Sequence, residues 1–154
     1  VADRAVEAFN SFRIQEGKEL QEDILSNLRQ IELGLERIVG LDSERTDNQR
    51  NKLREAIETL KEKIDENRFE QELIYYIEKF DINEERVRLK NHIDYFQTTL
   101  AEEAVGKKLG FIAQELGREI NTIGSKANHS GIQREVVQMK DALEKIKEQS
   151  LNVL

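Results

Sequence analysis

The chain has 154 residues, of which 36% are charged and 38% are hydrophobic, and it contains neither proline nor cysteine. This composition excludes disulfides and thiolate metal sites, provides no apolar run near the roughly 20 residues that span a bilayer, and favours long solvated helices over a compact sheet protein. The net charge of −7 argues against broad, non-specific attraction to nucleic acid, because such binding usually needs a basic surface.

The first predicted helix covers the start of the chain. Its apolar residues recur every three or four positions and therefore share one helix face, namely Leu20, Ile24, Leu28, Ile31, Leu35 and Ile38. Val6, Phe9 and Phe12 extend the same helix towards the start of the chain. We predict that Gly40 ends this helix and that the polar run 42–47 forms a loop.

The next apolar pattern predicts a second helix and its continuation. The helical spacing is weakened only by the polar residues 65–67, and the pattern comprises Leu53, Ile57, Leu60, Ile64, Phe69, Leu73, Ile77 and Phe80. Asp81 and Glu84 then stand three positions apart, which is the spacing of a capping box at a helix start. The helix that follows carries the apolar residues Val87, Leu89, Ile93, Phe96 and Leu100.

Two more helices complete the predicted fold. The first begins at Gly106 and ends at the turn 128–131, and its buried face comprises Leu109, Ile112, Leu116, Ile120 and Ile123. The last helix has a coiled-coil-like heptad seam of Ile132, Val136, Met139, Leu143, Ile146 and Val153. No long segment alternates with a period of two. The sequence therefore predicts an all-α fold of about five helices in long antiparallel, coiled-coil-like hairpins, with residues 1–154 as a single helical domain.

Three glycines in the helix that begins at Gly106 recur at a spacing of seven, at Gly110, Gly117 and Gly124. Each costs roughly 1 kcal/mol of helix propensity relative to alanine, which indicates that something approaches the backbone closely. Two interpretations stay open. The glycines allow tight helix packing, within the domain or across an oligomer, or they line a groove that receives a phosphate backbone.

The polar face of the same helix mixes carboxylates and cations, namely Glu115, Arg118, Glu119, Thr122 and Lys126. Glu115 and Glu119 lie one turn apart, a spacing that can place two carboxylates on one Mg²⁺ or Mn²⁺ ion. Alternatively, Glu115 pairs with Arg118 and Glu119 is only solvated. Spacing alone favours the ion pair, because such pairs are common on helices.

His92 shares a helix face with Glu85 and Arg88. By chance alone, a surface or hydrogen-bonded histidine is favoured over a ligand or a general base. His129 falls in a predicted turn and looks like an ordinary loop residue. The residues alone therefore predict a helical, oligomeric protein without a defined chemistry.

Four segments resemble the motifs of a known family. They are residues 106–126 (GKKLGFIAQELGREINTIGSK), 136–149 (VVQMKDALEKIKEQ), 16–23 (EGKELQED) and 81–92 (DINEERVRLKNH). These segments closely resemble the signature of the YicC family of bacterial proteins, also called YloC-like. The resemblance covers the chain from about residue 13 onward, with the signature region at 81–151.

This resemblance implies a cytoplasmic endoribonuclease that needs a divalent cation, Mn²⁺ or Mg²⁺, acts on RNA, assembles into a homo-oligomer and has no membrane partner. It also implies that the chain is the helical C-terminal part of a longer protein, without the family's N-terminal, sheet-containing domain. The start at Val1 and not at methionine agrees with this expectation. The alternative is a helical oligomerisation and RNA-docking module without catalysis of its own.

The resemblance also makes the polar face and its neighbouring hairpin the candidate site. It suggests metal ligands at Glu85, Glu115 and Glu119, and catalytic roles for Glu115, Glu119 and His92, with the histidine as proton shuttle. The metal would activate water and offset charge at the scissile phosphate. Flanking phosphates would be held by four cations, Arg88, Lys107, Arg118 and Lys126. Asp81 is a weaker candidate ligand, because helix capping already accounts for it.

Overall fold

A computed structural model of the chain describes residues 2–60, 65–102 and 105–153. These residues form five helices and no strand, namely α1 (Ala2–Leu60), α2 (Glu66–Phe80), α3 (Asn83–Leu100), α4 (Gly106–Lys126) and α5 (Ser130–Ser150). The predicted all-α class is therefore confirmed. None of the described helices is long and apolar enough to cross a membrane.

The long helix α1 runs without a break through the predicted loop. The predicted end at Gly40 and the predicted loop at 42–47 are therefore wrong. Asp42 and Arg45 are buried and pair with each other one helical turn apart. Because their polar groups find partners inside the protein, the run remains helical although it lacks an apolar stripe.

The predicted second helix and its continuation divide differently in the structure. Leu53 and Ile57 belong to the last turns of α1, whereas Ile64 lies outside the described residues. The pattern resumes as a separate helix, α2, whose first turn is capped by the Asp65 carboxylate accepting a hydrogen bond from the Asn67 N–H at 3.2 Å. No residue of α2 is fully buried. This helix therefore lies outside the main core.

The core lies between the middle of α1, residues 24–38, and the helices α3, α4 and α5. The α5 helix packs on α1 and α4, and α3 packs mainly on α4. Most of the predicted apolar faces are buried there, including Ile24, Leu28, Ile31, Leu89, Phe96, Leu116, Ile120, Ile132 and Ile146. The heptad seam of α5 is thus covered by helices of the same chain, and the homo-oligomer stays a prediction. In contrast, Val6, Phe9, Phe12 and Val87 are exposed.

Two of the three glycines that recur at a spacing of seven on α4 allow α5 to approach closely. A Cβ atom added at Gly117 would lie 3.1 Å from Cδ2 of Leu143, and one added at Gly124 would lie 3.1 Å from Cγ1 of Val136. A Cβ at Gly110 would meet no atom within 4 Å. The structure therefore supports helix packing within the domain at Gly117 and Gly124, and it provides no packing reason for Gly110.

Candidate functional site

The antiparallel hairpin of α3 and α4 brings most of the predicted site residues together. Glu85, Arg88 and His92 lie on the side of α3 that packs towards α4, and their charges act on Glu119 of α4, as does that of Glu115. Lys126 joins them through an ion pair with Glu85. We call these six residues the α3–α4 cluster.

Glu119 is the most deeply placed carboxyl group that α4 contributes to this cluster. It is only 4% exposed, although its position on the polar face predicted a solvated side chain. That expectation fails because α3 packs against this side of α4. Burial raises the pKa of Glu119, the positive charges of Arg88 and His92 oppose this effect, and the charges of Glu85 and Glu115 add to it. Such a buried, perturbed carboxyl group is frequent in functional sites.

Glu85 is the second buried carboxylate of the cluster. The Lys126 ammonium lies 2.6 Å from its Oε1 atom and also donates to the carbonyl oxygen of Asp81 at 3.3 Å. The Oε2 atom of Glu85 is buried and has no hydrogen-bond partner among the described residues. Lys126 is therefore engaged inside the protein, and one oxygen of Glu85 remains available to a ligand.

The start of α3 shows why Asp81 is a weak candidate ligand. Its carboxylate accepts a hydrogen bond from the Asn83 N–H at 3.1 Å, in a turn that precedes the helix. The predicted capping box is wrong, because the N-cap residue is Ile82, which has no side-chain cap, and the Glu84 side chain pairs with Arg88. The hydrogen bond to Asn83 thus engages one oxygen of the Asp81 carboxylate.

The other predicted phosphate-binding cations differ in their distance from the cluster. Arg118 is exposed and lies 3.7 Å from Glu115, so this part of the polar face contains the ion pair that its spacing favoured. Arg88 is exposed as well and sits beside Glu119. Lys107 is twelve residues before Glu119 on the same helix, which separates them by about 18 Å along its axis. The structure therefore does not bring Lys107 to the cluster.

The cluster offers carboxylate oxygens, which suit a hard divalent cation, beside one imidazole. Within residues 2–60, 65–102 and 105–153, however, no three such side chains converge closely enough to hold an ion by themselves. Mg²⁺ is commonly held by one or two carboxylates, with water and substrate phosphate completing its shell. The unpartnered oxygen of Glu85 and the carboxyl of Glu119 fit an ion of that kind.

A buried ionic network beside the cluster was missed by the sequence analysis. The Arg45 guanidinium lies 2.6 Å from Asp42 and donates to the Phe80 carbonyl oxygen at 2.7 Å. Arg86 of α3 reaches the second oxygen of Asp42 at 3.1 Å. The network ties α1 to the start of α3, next to Glu85. The spacing of Asp42 and Arg45 was its only signal in the sequence.

Comparisons with known proteins agree on one family. The family model described as "Endoribonuclease YicC-like, C-terminal" matches residues 38–154. A protein of Clostridioides difficile strain 630 named "Probable endoribonuclease YicC" is 40% identical over 145 residues, which cover 92% of this chain and 50% of that protein. A protein of the same name from Haemophilus influenzae is 32% identical over 146 residues, which cover 94% and 51% respectively. The chain spans about half the length of these relatives.

Proposed function

Because the chain belongs to the family of YicC-like endoribonucleases, whose C-terminal part it matches, we propose that the intact protein cleaves RNA internally with the help of a divalent cation. The observation that carries this proposal is the pair of buried carboxyl groups, Glu85 and Glu119, on packed helices within the family-matched region. Burying two carboxyl groups costs free energy unless a cation or a proton compensates them. A divalent cation held by the two groups would provide that compensation.

Glu85 and Glu119 would hold the ion, with Glu115 at the exposed edge of the cluster. When bound, Mg²⁺ or Mn²⁺ supplies an activated water and neutralises charge at the scissile phosphate. Lys126 orients Glu85 by binding its Oε1 atom, which leaves the other oxygen for the ligand. His92 lies beside Glu119, so its imidazole would act as the proton shuttle.

Arg88 and Arg118 would bind the phosphates on either side of the cleaved bond. Both side chains are exposed, and their present partners, Glu84 and Glu115, form surface ion pairs of low strength. An RNA phosphate can replace such a partner, because a guanidinium binds phosphate through two parallel hydrogen bonds. Lys107, by its distance from the cluster, would contact RNA only well away from the cleaved bond.

The experiment compares cleavage of a labelled RNA by the wild-type protein and by Glu119→Gln, with Mn²⁺ or Mg²⁺ present. We expect the variant to lose on the order of 100-fold or more in rate, as removal of a metal-binding or acid–base group does. Glu144→Gln is the matched control, because it makes the same chemical change at an exposed α5 residue that pairs only with Lys147. Equal cleavage by wild type and Glu119→Gln would remove Glu119 from the mechanism, and an inactive wild type would refute the proposal.

A second candidate function is a helical oligomerisation and RNA-docking module whose chemistry resides elsewhere in the intact protein. It is favoured by the absence of three convergent ligands among the described residues and by the exposed apolar side chains at the start of α1, Val6, Phe9 and Phe12. Sedimentation and RNA cleavage by the 154-residue chain distinguish the two functions. A homo-oligomer that binds RNA without cutting it supports docking, whereas a monomer that cuts RNA excludes it.

A further inference from the structure

A cavity of about 370 Å³ lies between the second half of α1 and α2, outside the α3–α4 cluster. Its size falls within the range of small-ligand sites, roughly 300–1,000 Å³. The walls are mainly apolar and aromatic, with Leu53, Ile57, Leu73, Tyr76, Ile77 and Phe80. The charged lining consists of three arginines and one aspartate, Arg45, Arg50, Arg54 and Asp81.

The charge of this lining indicates an anionic ligand. Arg45 already pairs with the buried Asp42, so the lining presents two further cations, Arg50 and Arg54, beside the single carboxylate of Asp81. Arg50 and Arg54 are exposed and form no ion pair with any other described residue. Their guanidinium groups are therefore available to a phosphate.

Arg45 provides a second, independent indication of a missing ligand. Only 5% of its side chain is exposed. Its Nε atom donates a hydrogen bond to Asp42, and its Nη2 atom donates one to the Phe80 carbonyl oxygen. Its Nη1 atom is buried and has no hydrogen-bond partner among the described residues. Buried donors without an acceptor are rare in folded proteins, so the guanidinium of Arg45, a residue of the cavity lining, has one donor left for a further acceptor.

The aromatic part of the lining fits a flat ring. The ring centroids of Tyr76 and Phe80 lie 4.6 Å apart at an interplanar angle of 53°, and Tyr76 remains exposed. Nucleic-acid bases stack on such side chains when they are unpaired. A ligand that combines a flat ring with a phosphate is a nucleotide.

The cavity also adjoins the α3–α4 cluster. Asp81 lines the cavity, and its carbonyl oxygen accepts a hydrogen bond from Lys126, which pairs with Glu85. We propose, on the basis of the proposed function, that this cavity binds one unpaired nucleotide of the RNA substrate. The base lies against Tyr76 and Phe80, and Arg50 and Arg54 hold the adjoining phosphates.

The test measures binding of a fluorescently labelled, single-stranded 2′-O-methyl oligonucleotide to the intact protein by fluorescence anisotropy. No divalent ion is present, so binding is measured without cleavage. We expect Tyr76→Ala to weaken binding by about tenfold, in line with the loss of one base–aromatic stack. The double variant Arg50→Glu/Arg54→Glu is expected to weaken it at least as much and to reduce the dependence of affinity on salt.

Matched controls separate this site from general effects. Tyr75→Ala changes the neighbouring tyrosine of α2, which is not part of the cavity lining, and Arg134→Glu reverses the charge of an exposed arginine on α5. Both should bind like wild type, and Tyr76→Phe should too, because it keeps the ring. Circular dichroism at 222 nm checks that the variants remain helical.

Three results would overturn the proposal. Wild-type affinity in both Tyr76→Ala and the double arginine variant would show that no nucleotide binds there. An equal loss in Arg134→Glu would indicate a general charge effect. A changed sedimentation coefficient with unchanged RNA affinity would show that the cavity contacts a second copy of the chain. This test measures binding and not cleavage. If the wild-type protein cuts RNA while these variants bind RNA normally, the result refutes this binding site and leaves the proposed nuclease function standing.

Discussion

Asp42→Ala tests the buried ionic network that joins α1 to the start of α3. Asp42 is 6% exposed and contacts two guanidinium groups, those of Arg45 at 2.6 Å and Arg86 at 3.1 Å. Its removal leaves Arg45 with only the Phe80 carbonyl as an acceptor. Removing one partner of a buried pair costs about 3–5 kcal/mol, because the other charge stays buried. The Arg86 side chain is 24% exposed and can turn to water. We therefore expect the free energy of unfolding to fall by about 3 kcal/mol, the lower end of that range.

The assay is urea unfolding of the 154-residue chain, followed by circular dichroism at 222 nm. With a slope of about 2 kcal/mol per molar urea, a loss of about 3 kcal/mol lowers the midpoint by about 1.5 M. Asp141→Ala is the matched control, because Asp141 is 72% exposed and pairs with Lys145 on the surface of α5. That surface pair should contribute less than about 1 kcal/mol.

A midpoint for Asp42→Ala equal to that of the control would refute the reasoning, since it would show that the two guanidinium groups are hydrated and not buried. A lower midpoint with an unchanged slope supports a loss of stability. A changed slope would instead indicate that part of the chain unfolds separately.

Three further predictions concern the buried Glu119 and two helix glycines, Gly110 of α4 and Gly34 of α1. Because burial raises the pKa of Glu119 above its unfolded value near 4.5, the folded chain binds this proton more tightly, and its stability falls as the pH rises from that value through the raised pKa. Glu119→Gln should therefore raise the urea midpoint near pH 7 and change it little near pH 4. A variant midpoint below that of the wild type near pH 7 would contradict the burial argument. Gly110→Ala should stabilise α4 by up to about 1 kcal/mol, because the added Cβ meets no atom within 4 Å and alanine favours the helix. Gly34→Ala should instead destabilise the chain by about 1–3 kcal/mol, since its Cβ would lie 2.6 Å from Cγ of the buried Met139, and the reverse order of the two midpoints would disprove this packing.

The positions of α3, α4 and α5 and the buried faces of the core helices could be predicted from the sequence. Ile24, Leu28 and Ile31 of α1 and Leu116 and Ile120 of α4 are fully buried, as their spacing indicated. Apolar spacing is a local property, since 3.6 residues per turn places such residues on one stripe whatever the stripe packs against. The same rule does not say whether a partner exists, which is why Val6 and Phe9 follow the pattern and remain exposed.

The candidate site could be predicted only in part. The meeting of Glu85 and His92 with Glu115 and Glu119 was expected from the resemblance to the family, and the hairpin places them together. The burial of Glu119 could not be inferred, because its own helix presents it on a polar face and only α3 covers it. The roles of the predicted residues in metal binding and catalysis stay predictions.

The sequence by itself determined that the described chain is helical and which stripe of each core helix is apolar. Tertiary structure alone decided that α1 continues past Gly40, because the polar groups of Asp42 and Arg45 are satisfied by Phe80 and Arg86, which are distant in the chain. Tertiary structure also decided that Lys126 forms an ion pair with Glu85. The physical reason is the same in both cases. A charged side chain can be buried only where another part of the chain offers the opposite charge or a hydrogen bond, and that partner is not visible in local spacing.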